Sequence, residues 1–246
     1  VPPSEALLLV TCEHGGNRVP RDHRARFRGR ARLLASHRGW DPGALAVARR
    51  LSRAVGAPLL AATTTRLLVD LNRSPHNPAV FSELTRGLSR ERRRALLDHH
   101  HRPHWNRVRA RVASAPGRVL HLAVHSFAPV WRGAERDFEV GILYDPKRRR
   151  ERALARAWQR CLRRADPALR VRRNAPYRGD ADGLTAALRR EFPPGRYLGF
   201  ELELNQRAIA GARGQRALAA ALAVTLRRAL RDLRRAAGPG ADDARR

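Results

Sequence analysis

Four short polar clusters, each set against an apolar stretch, gather the residues of this chain best suited to chemistry. They are Thr11-Cys12-Glu13-His14-Gly15-Gly16-Asn17, Asp70-Leu71-Asn72-Arg73-Ser74-Pro75, Ala123-Val124-His125-Ser126 and Glu201-Leu202-Glu203-Leu204-Asn205. Open α/β sheets place their reacting groups at strand ends. Two histidines and several carboxylates at such ends have the donor types of a metal-assisted hydrolase.

His14 follows an apolar run and precedes Gly15-Gly16, where missing Cβ atoms let a ligand approach the backbone. His125 repeats the arrangement after a second apolar run. One histidine in such a place is as a rule structural; two at separate strand ends point to a metal. Asp41 can complete a two-histidine, one-carboxylate zinc site that keeps a fourth position for water. Its other reading is a helix N-cap with Pro42 at the first helical position, and the two roles are compatible. Glu13 is the alternative ligand. Adjacent side chains on a strand point apart, so Glu13 and His14 converge only where the chain turns. Cys12 reads as a small buried hydrophobe rather than a ligand or nucleophile.

Glu201 and Glu203 lie two apart in an apolar run and share one face of a strand. Either can be the general base for an activated water, and the competing reading is a pair of solvated acids on an edge strand. Arg73 sits in a loop pinned by Pro75 and Pro78, a setting suited to bidentate recognition of a carboxylate. Arg178, in the loop Pro176-Tyr177-Arg178-Gly179, is a second candidate. The tract His99-His100-His101-Arg102-Pro103-His104 looks like a metal site. It lacks a carboxylate or cysteine at zinc spacing, and Pro103 disturbs the helix that would align His100 with His104, so it reads as a structural cluster.

These residues need elements to hold them. Strands are predicted over Ala6–Val10, Pro58–Ala62, Val119–Val124, Phe138–Leu143, Leu169–Val171 and Tyr197–Leu204. Helices are predicted over Ala44–Val55, from Ser89 to about Ala113 with a break or kink at Pro103, and over Arg149–Arg164, Thr185–Phe192 and about Gln206–Arg235. In the first of these, Leu45, Ala48, Leu51 and Val55 share a face. Strands alternating with helices imply an α/β, three-layer sandwich. Residues 1–237 form a single domain in this reading, followed by a disordered tail at 238–246.

Composition bounds the function. The chain has 246 residues, a net charge of +29 and one lysine, Lys147. A nucleic-acid surface usually mixes lysine with arginine, so the one-sided arginine usage points to coding bias. Aromatic residues make up 5%, which leaves few platforms for stacking bases. The basic surface predicts nonspecific, salt-sensitive binding of polyanions. No apolar run reaches the length of a membrane span. Two cysteines make no disulfide framework. The opening residues lack the basic stretch of a signal peptide, so a cytoplasmic location is expected.

Taken together, six segments resemble the N-formylglutamate amidohydrolase family. They are Cys12 to Pro20, His37 to Ala44, Val69 to Ser74, His121 to Phe127, Asn174 to Gly179 with Asp182-Gly183, and Gly199 to Gln206. The resemblance runs in order from about residue 6 to 230. It implies a mostly parallel mixed sheet akin to zinc carboxypeptidases and cell-wall amidases, with zinc on His14, Asp41 and His125. Those relatives usually use glutamate where this chain offers Asp41 or Glu13. The resemblance further implies Glu203 as the base and Arg73, helped by Asn72 and Arg178, as the holder of a substrate carboxylate. The substrate would be a small anionic N-acyl amino acid such as N-formylglutamate, losing its formyl group. The alternatives are a peptidoglycan-type amidase with the same zinc chemistry and a basic nucleic-acid-binding or catalytically inactive binding protein.

Overall fold

The apolar runs beside the polar clusters become the inner strands of one six-stranded sheet. The structure is a computed structural model that describes residues 7–237. In chain order the strands are β1 (Leu7–Cys12), β2 (Leu59–Ala61), β3 (Val119–Phe127), β4 (Val130–Trp131), β5 (Ala134–Glu135), β6 (Val140–Leu143), β7 (Val171–Arg173) and β8 (Tyr197–Asn205). The α-helices are α1 (Ala31–Ala35), α2 (Ala44–Val55), α3 (Arg90–Leu96), α4 (Arg102–Ala113), α5 (Arg149–Ala165), α6 (Leu184–Glu191) and α7 (Ala212–Ala237).

The sheet order is β2-β1-β3-β8-β6-β7, and β4 with β5 forms a separate two-stranded ribbon. All neighbouring pairs in the large sheet are parallel except β6 with β8. The sheet is therefore mixed and mostly parallel. Helices cover both faces, giving the expected three layers.

Strand periodicity sorts the side chains between the two faces. Val10 and Cys12 of β1, Leu120, Leu122 and Val124 of β3, and Leu198, Phe200 and Leu202 of β8 pack under α2, α5 and α7. The alternate residues face α4 and α6, where Leu9, Val119 and Tyr197 meet Trp105, Val108 and Leu188. Thr11, His121, His125, Glu201 and Glu203 have that second parity. One face is thus an apolar core as far as Ser126 near the end of β3, and the other grows polar toward the strand ends.

Helix α2 buries Ala44, Val47, Ala48, Leu51 and Val55, a helical stripe. Leu45, expected on that stripe, is only partly buried. The helix ends on Gly56 in the left-handed conformation (φ 69°), a common stop. Asp41 does not cap it. Gly43, with φ 81°, precedes the first helical residue, and no side chain caps the helix start, which leaves the Asp41 carboxylate free for the site. A Cβ on Gly43 would also lie 2.9 Å from Ile209.

Ser89 caps α3 as expected, accepting a bond from the Arg92 N–H. The histidine tract departs from expectation. Leu97–His101 forms a π-helical turn between α3 and α4, and Pro103 lies in the first turn of α4. The wider turn sends His101 and His104 inward while His99 stays exposed. Strand β3 runs on through His125 to Phe127, beyond its expected end at Val124. The proposed tail at 238–246 lies outside the described residues, as does Ala6 of the first predicted strand.

Candidate active site

Three side chains from three parts of the chain meet at the ends of β1 and β3. His14 Nδ1 lies 3.3 Å from Asp41 Oδ2, and His125 Nδ1 lies 3.0 Å from the same oxygen. One donor atom from each of the three residues falls within 4.8 Å of the other two, and all three residues are buried. Asp41 is delivered there by backbone pairing, its N–H donating to His14 O at 2.9 Å.

Each histidine turns its other ring nitrogen to a carboxylate. His14 Nε2 is 2.7 Å from Asp70 Oδ1, and His125 Nε2 is 3.1 Å from Glu13 Oε2. Carboxylates in that position fix the tautomer and orientation of metal-binding imidazoles. Both carboxylates are themselves held. Arg66 donates to Asp70 Oδ2 at 2.8 Å and to Asp41 Oδ1 at 3.3 Å. His104 Nε2 lies 3.3 Å from Glu13 Oε1. The structure therefore places Glu13, the alternative ligand, behind His125 rather than in the donor triangle.

Electrostatics favour a cation at the centre. Burial would raise the Asp41 carboxyl, but the His14 charge, hydrogen bonds from both histidines and Arg66 hold it below its ordinary range. Burial likewise opposes ionised Asp70 and Glu13, and their basic partners keep both low. His125 is driven the other way. Burial would lower it, yet bonds to Asp41 and Glu13 raise it well above the ordinary imidazole range.

The β3–β8 register sets His125 opposite Glu203. Burial lifts the Glu203 carboxyl to about 8, and its buried Oε2 has no hydrogen-bond partner among the described residues. Glu201 is engaged instead, accepting from Thr185 Oγ1 at 2.6 Å and Asn72 Nδ2 at 3.4 Å. Room beside Glu203 depends on Gly141 of β6, where a Cβ would collide with Ala175 O.

The Asn72–Asn77 loop is interlocked with the start of α6. Asn72 Oδ1 accepts from Leu184 N–H at 3.0 Å, and Asp182 accepts from Ser74 N–H and Asn77 Nδ2 at 2.9 and 2.7 Å. Asn72 Nδ2 reaches within 3.5 Å of His125 Nε2. His101 donates to Arg73 O at 2.8 Å, so part of the histidine tract serves this loop. Among the described residues the Arg73 guanidinium has no hydrogen bond or ion pair. Arg178 is 75% exposed and paired with Asp180; the structure does not bring it to the other site residues.

Cys12 is buried, and burial pushes its thiol well above the ordinary range, as a core residue requires. Asp70, Arg66 and Thr185 were not singled out as site residues by the sequence, although Asp70 opens one of its polar clusters. His104 was noticed only within the histidine tract, read there as a structural cluster, and it serves the site by holding Glu13.

A family model for N-formylglutamate amidohydrolase matches residues 6–210. The chain belongs to the N-formylglutamate amidohydrolase family. Membership makes it an amidohydrolase. It is 33% identical to a gene product of Agrobacterium tumefaciens of solved structure, over 94% of this chain and 92% of that one, with a TM-score of 0.80. The N-formylglutamate amidohydrolase from Ralstonia eutropha JMP134 shares the fold at 22% identity, covering 96% and 97% of the two chains with a TM-score of 0.62. No curated protein matches the chain. Among the described residues, no helix is long and apolar enough to cross a membrane.

Proposed function

We propose that this family member is a zinc-dependent, cytoplasmic amidohydrolase that removes the formyl, or a similarly small acyl, group from an N-acyl amino acid such as N-formylglutamate. One observation carries the reading. The His14–Asp41–His125 donor triangle lies on the same face and at the same strand ends as Glu203, whose second carboxylate oxygen is buried without a partner among the described residues. Two imidazole nitrogens and one carboxylate oxygen, each imidazole backed by a carboxylate, suit zinc with an open position.

Zinc bound there supplies a Lewis acid that activates water and polarises the acyl carbonyl. Glu203 takes a proton from the attacking water, whose oxygen bonds to the acyl carbon. The C–N bond then breaks, and Glu203 returns the proton to the departing amine nitrogen. A buried carboxylate is a stronger base than a solvated one, which suits the first step. Asp70 and Glu13 keep the two imidazoles in the tautomer that presents Nδ1 to the centre. Asn72 reaches His125, and Arg73, next in the same loop and acting through its charge on Asp182, is assigned to the substrate's carboxylate.

The experiment measures metal content and formate release from N-formylglutamate in the wild type, His14→Ala and His125→Ala. About one zinc per chain, lost in both variants together with formate release, is expected. A wild type that takes up no zinc on reconstitution refutes the mechanism. Zinc without formate release refutes the substrate and leaves the metal site standing.

A further inference from the structure

Arg136 has surroundings that look built for a ligand. Its guanidinium lies 5.6 Å from the Phe127 ring, 5.3 Å from Trp131 and 5.4 Å from Tyr177. Such a cage holds the planar group rigid without neutralising it. Its Nη1 is buried and has no hydrogen-bond partner among the described residues.

Carboxylates are close at hand, yet they go elsewhere. Glu135 pairs with Arg207, Asp137 with Arg172 and Glu139 with Arg170. Three acids flank Arg136 in the chain, each engaged with another arginine. A desolvated donor left unpaired is costly, so the arrangement makes sense if an anion completes it.

The position relates directly to the site. Phe127 is two residues beyond His125 on the same face of β3, about 7 Å along the strand. The Arg136 backbone is fastened to the segment that follows β3 and to the end of β8, donating to Pro129 O at 2.8 Å and accepting from Asn205 Nδ2 at 3.0 Å. Trp131 meets His37 edge-on at 5.7 Å, which ties the β4–β5 ribbon to the loop that carries Asp41.

We propose that Arg136, in its cage of Phe127, Trp131 and Tyr177, binds the side-chain carboxylate of the substrate and so selects dicarboxylic N-acyl amino acids. The inference rests on the hydrolase reading above. The α-carboxylate is two bonds from the scissile nitrogen and belongs near Arg73, beside Asn72 and the His125 ring. The side-chain carboxylate of a glutamate is four bonds away, and Arg136 stands farther out on the same face. Arg136 takes the role that the sequence suggested for Arg178.

The test compares the zinc-loaded wild-type chain with Arg136→Gln and Arg136→Lys on two substrates, N-formylglutamate and N-formylglutamine, which differ in side-chain charge. Glutarate binding by calorimetry gives a readout free of turnover. For Arg136→Gln, kcat/KM on N-formylglutamate should fall about 10- to 100-fold, chiefly through KM, with a change under about threefold on N-formylglutamine. Glutarate should bind more weakly by a similar factor, and Arg136→Lys should recover part of the loss. An unchanged preference between the two substrates overturns the inference, as does an equal loss on both. If the wild type hydrolyses neither substrate but binds glutarate in an Arg136-dependent way, the deformylase reading falls and this one stands. A wild type that binds no glutarate and hydrolyses neither substrate overturns both.

Discussion

The Asp70→Asn substitution tests whether the carboxylates behind the histidines tune the metal. Asp70 Oδ1 accepts from His14 Nε2 at 2.7 Å and from the Asn72 N–H at 2.9 Å, and Oδ2 faces Arg66 at 2.8 Å. An asparagine amide can keep its oxygen toward His14 only by turning its NH2 onto the Arg66 guanidinium, donor against donor. Turned the other way, it presents NH2 to the imidazole N–H. A charge-assisted bond contributes about 1.5–3 kcal/mol and a neutral one about 0.5–1.5. The net weakening at His14 is therefore about 1–2 kcal/mol, or about 5- to 30-fold in zinc affinity. Losses of 10- to 100-fold on removing such partners are usual, which overlaps that range.

The Arg66 share behaves differently. Arg66 meets Asp70 whether or not zinc is bound, so that loss falls on the stability of the metal-free protein and largely cancels from the affinity. Two assays separate the effects: zinc competition against a chromogenic chelator, and urea unfolding of the metal-free protein. Zinc affinity within about threefold of wild type, with His14→Ala unable to bind, would show that Asp70 does nothing for the imidazole and refute the argument.

Glu203→Gln should keep its zinc and lose about 10²- to 10⁴-fold in kcat for formate release; activity within tenfold of wild type removes Glu203 as the base. Burial holds His121 down to about 4 from its ordinary 6.5, so its stabilising share is full above pH 6.5 and disappears as pH falls toward 4. Unfolding free energy should drop by about 2 kcal/mol between pH 7.5 and 5 from this group alone, and the drop should shrink by that amount in His121→Gln. An equal pH slope in both proteins refutes the assignment. Glu151 is wholly buried and accepts from Arg189 Nε at 3.1 Å and from the N–H groups of Asp145 and Gly199 at 2.9 and 3.0 Å. Glu151→Gln leaves the Arg189 charge buried and should destabilise by about 3–5 kcal/mol, read as a lower urea midpoint; a loss under 1 kcal/mol counts against it.

Much of the frame was legible because it depends on local pattern. The apolar runs of β1, β3 and β8 identify themselves, and the two-residue spacing of Glu201 and Glu203 puts both on one face wherever the strand lies. Asp41 was legible as the carboxylate that joins His14 and His125, and only its second reading, as a cap, fails. The expected N-cap is pre-empted by Gly43, whose left-handed backbone starts the helix two residues later. Which carboxylate backs which histidine depends on pairings between residues 56 and 112 positions apart, and no spacing encodes that. A 3.6-residue period carried across Pro103 aligned His100 with His104, whereas the π turn directs His101 inward instead. Arg136 was hidden by abundance, since in a chain this rich in arginine only the rings packed around one guanidinium distinguish it.

Parallel pairing is what brings the site together. β1, β3 and β8 run side by side and end at one edge, so Glu13, His125 and Glu203, from three distant parts of the chain, emerge on one face. The register of β3 against β8 then does more than stabilise the sheet. A slip of one residue would turn Glu203 into the apolar layer beneath α7 and bring Leu204 to the site. The apolar parity of β8, with Leu198, Phe200, Leu202 and Leu204 all buried on the other face, opposes that slip at four positions at once. Each of those side chains contributes about 1.5–3 kcal/mol when buried. The hydrophobic layer under α2, α5 and α7 is therefore what holds the base opposite His125, and the polar face can bury Glu203 with an unpartnered oxygen because the opposite face keeps the strand in register.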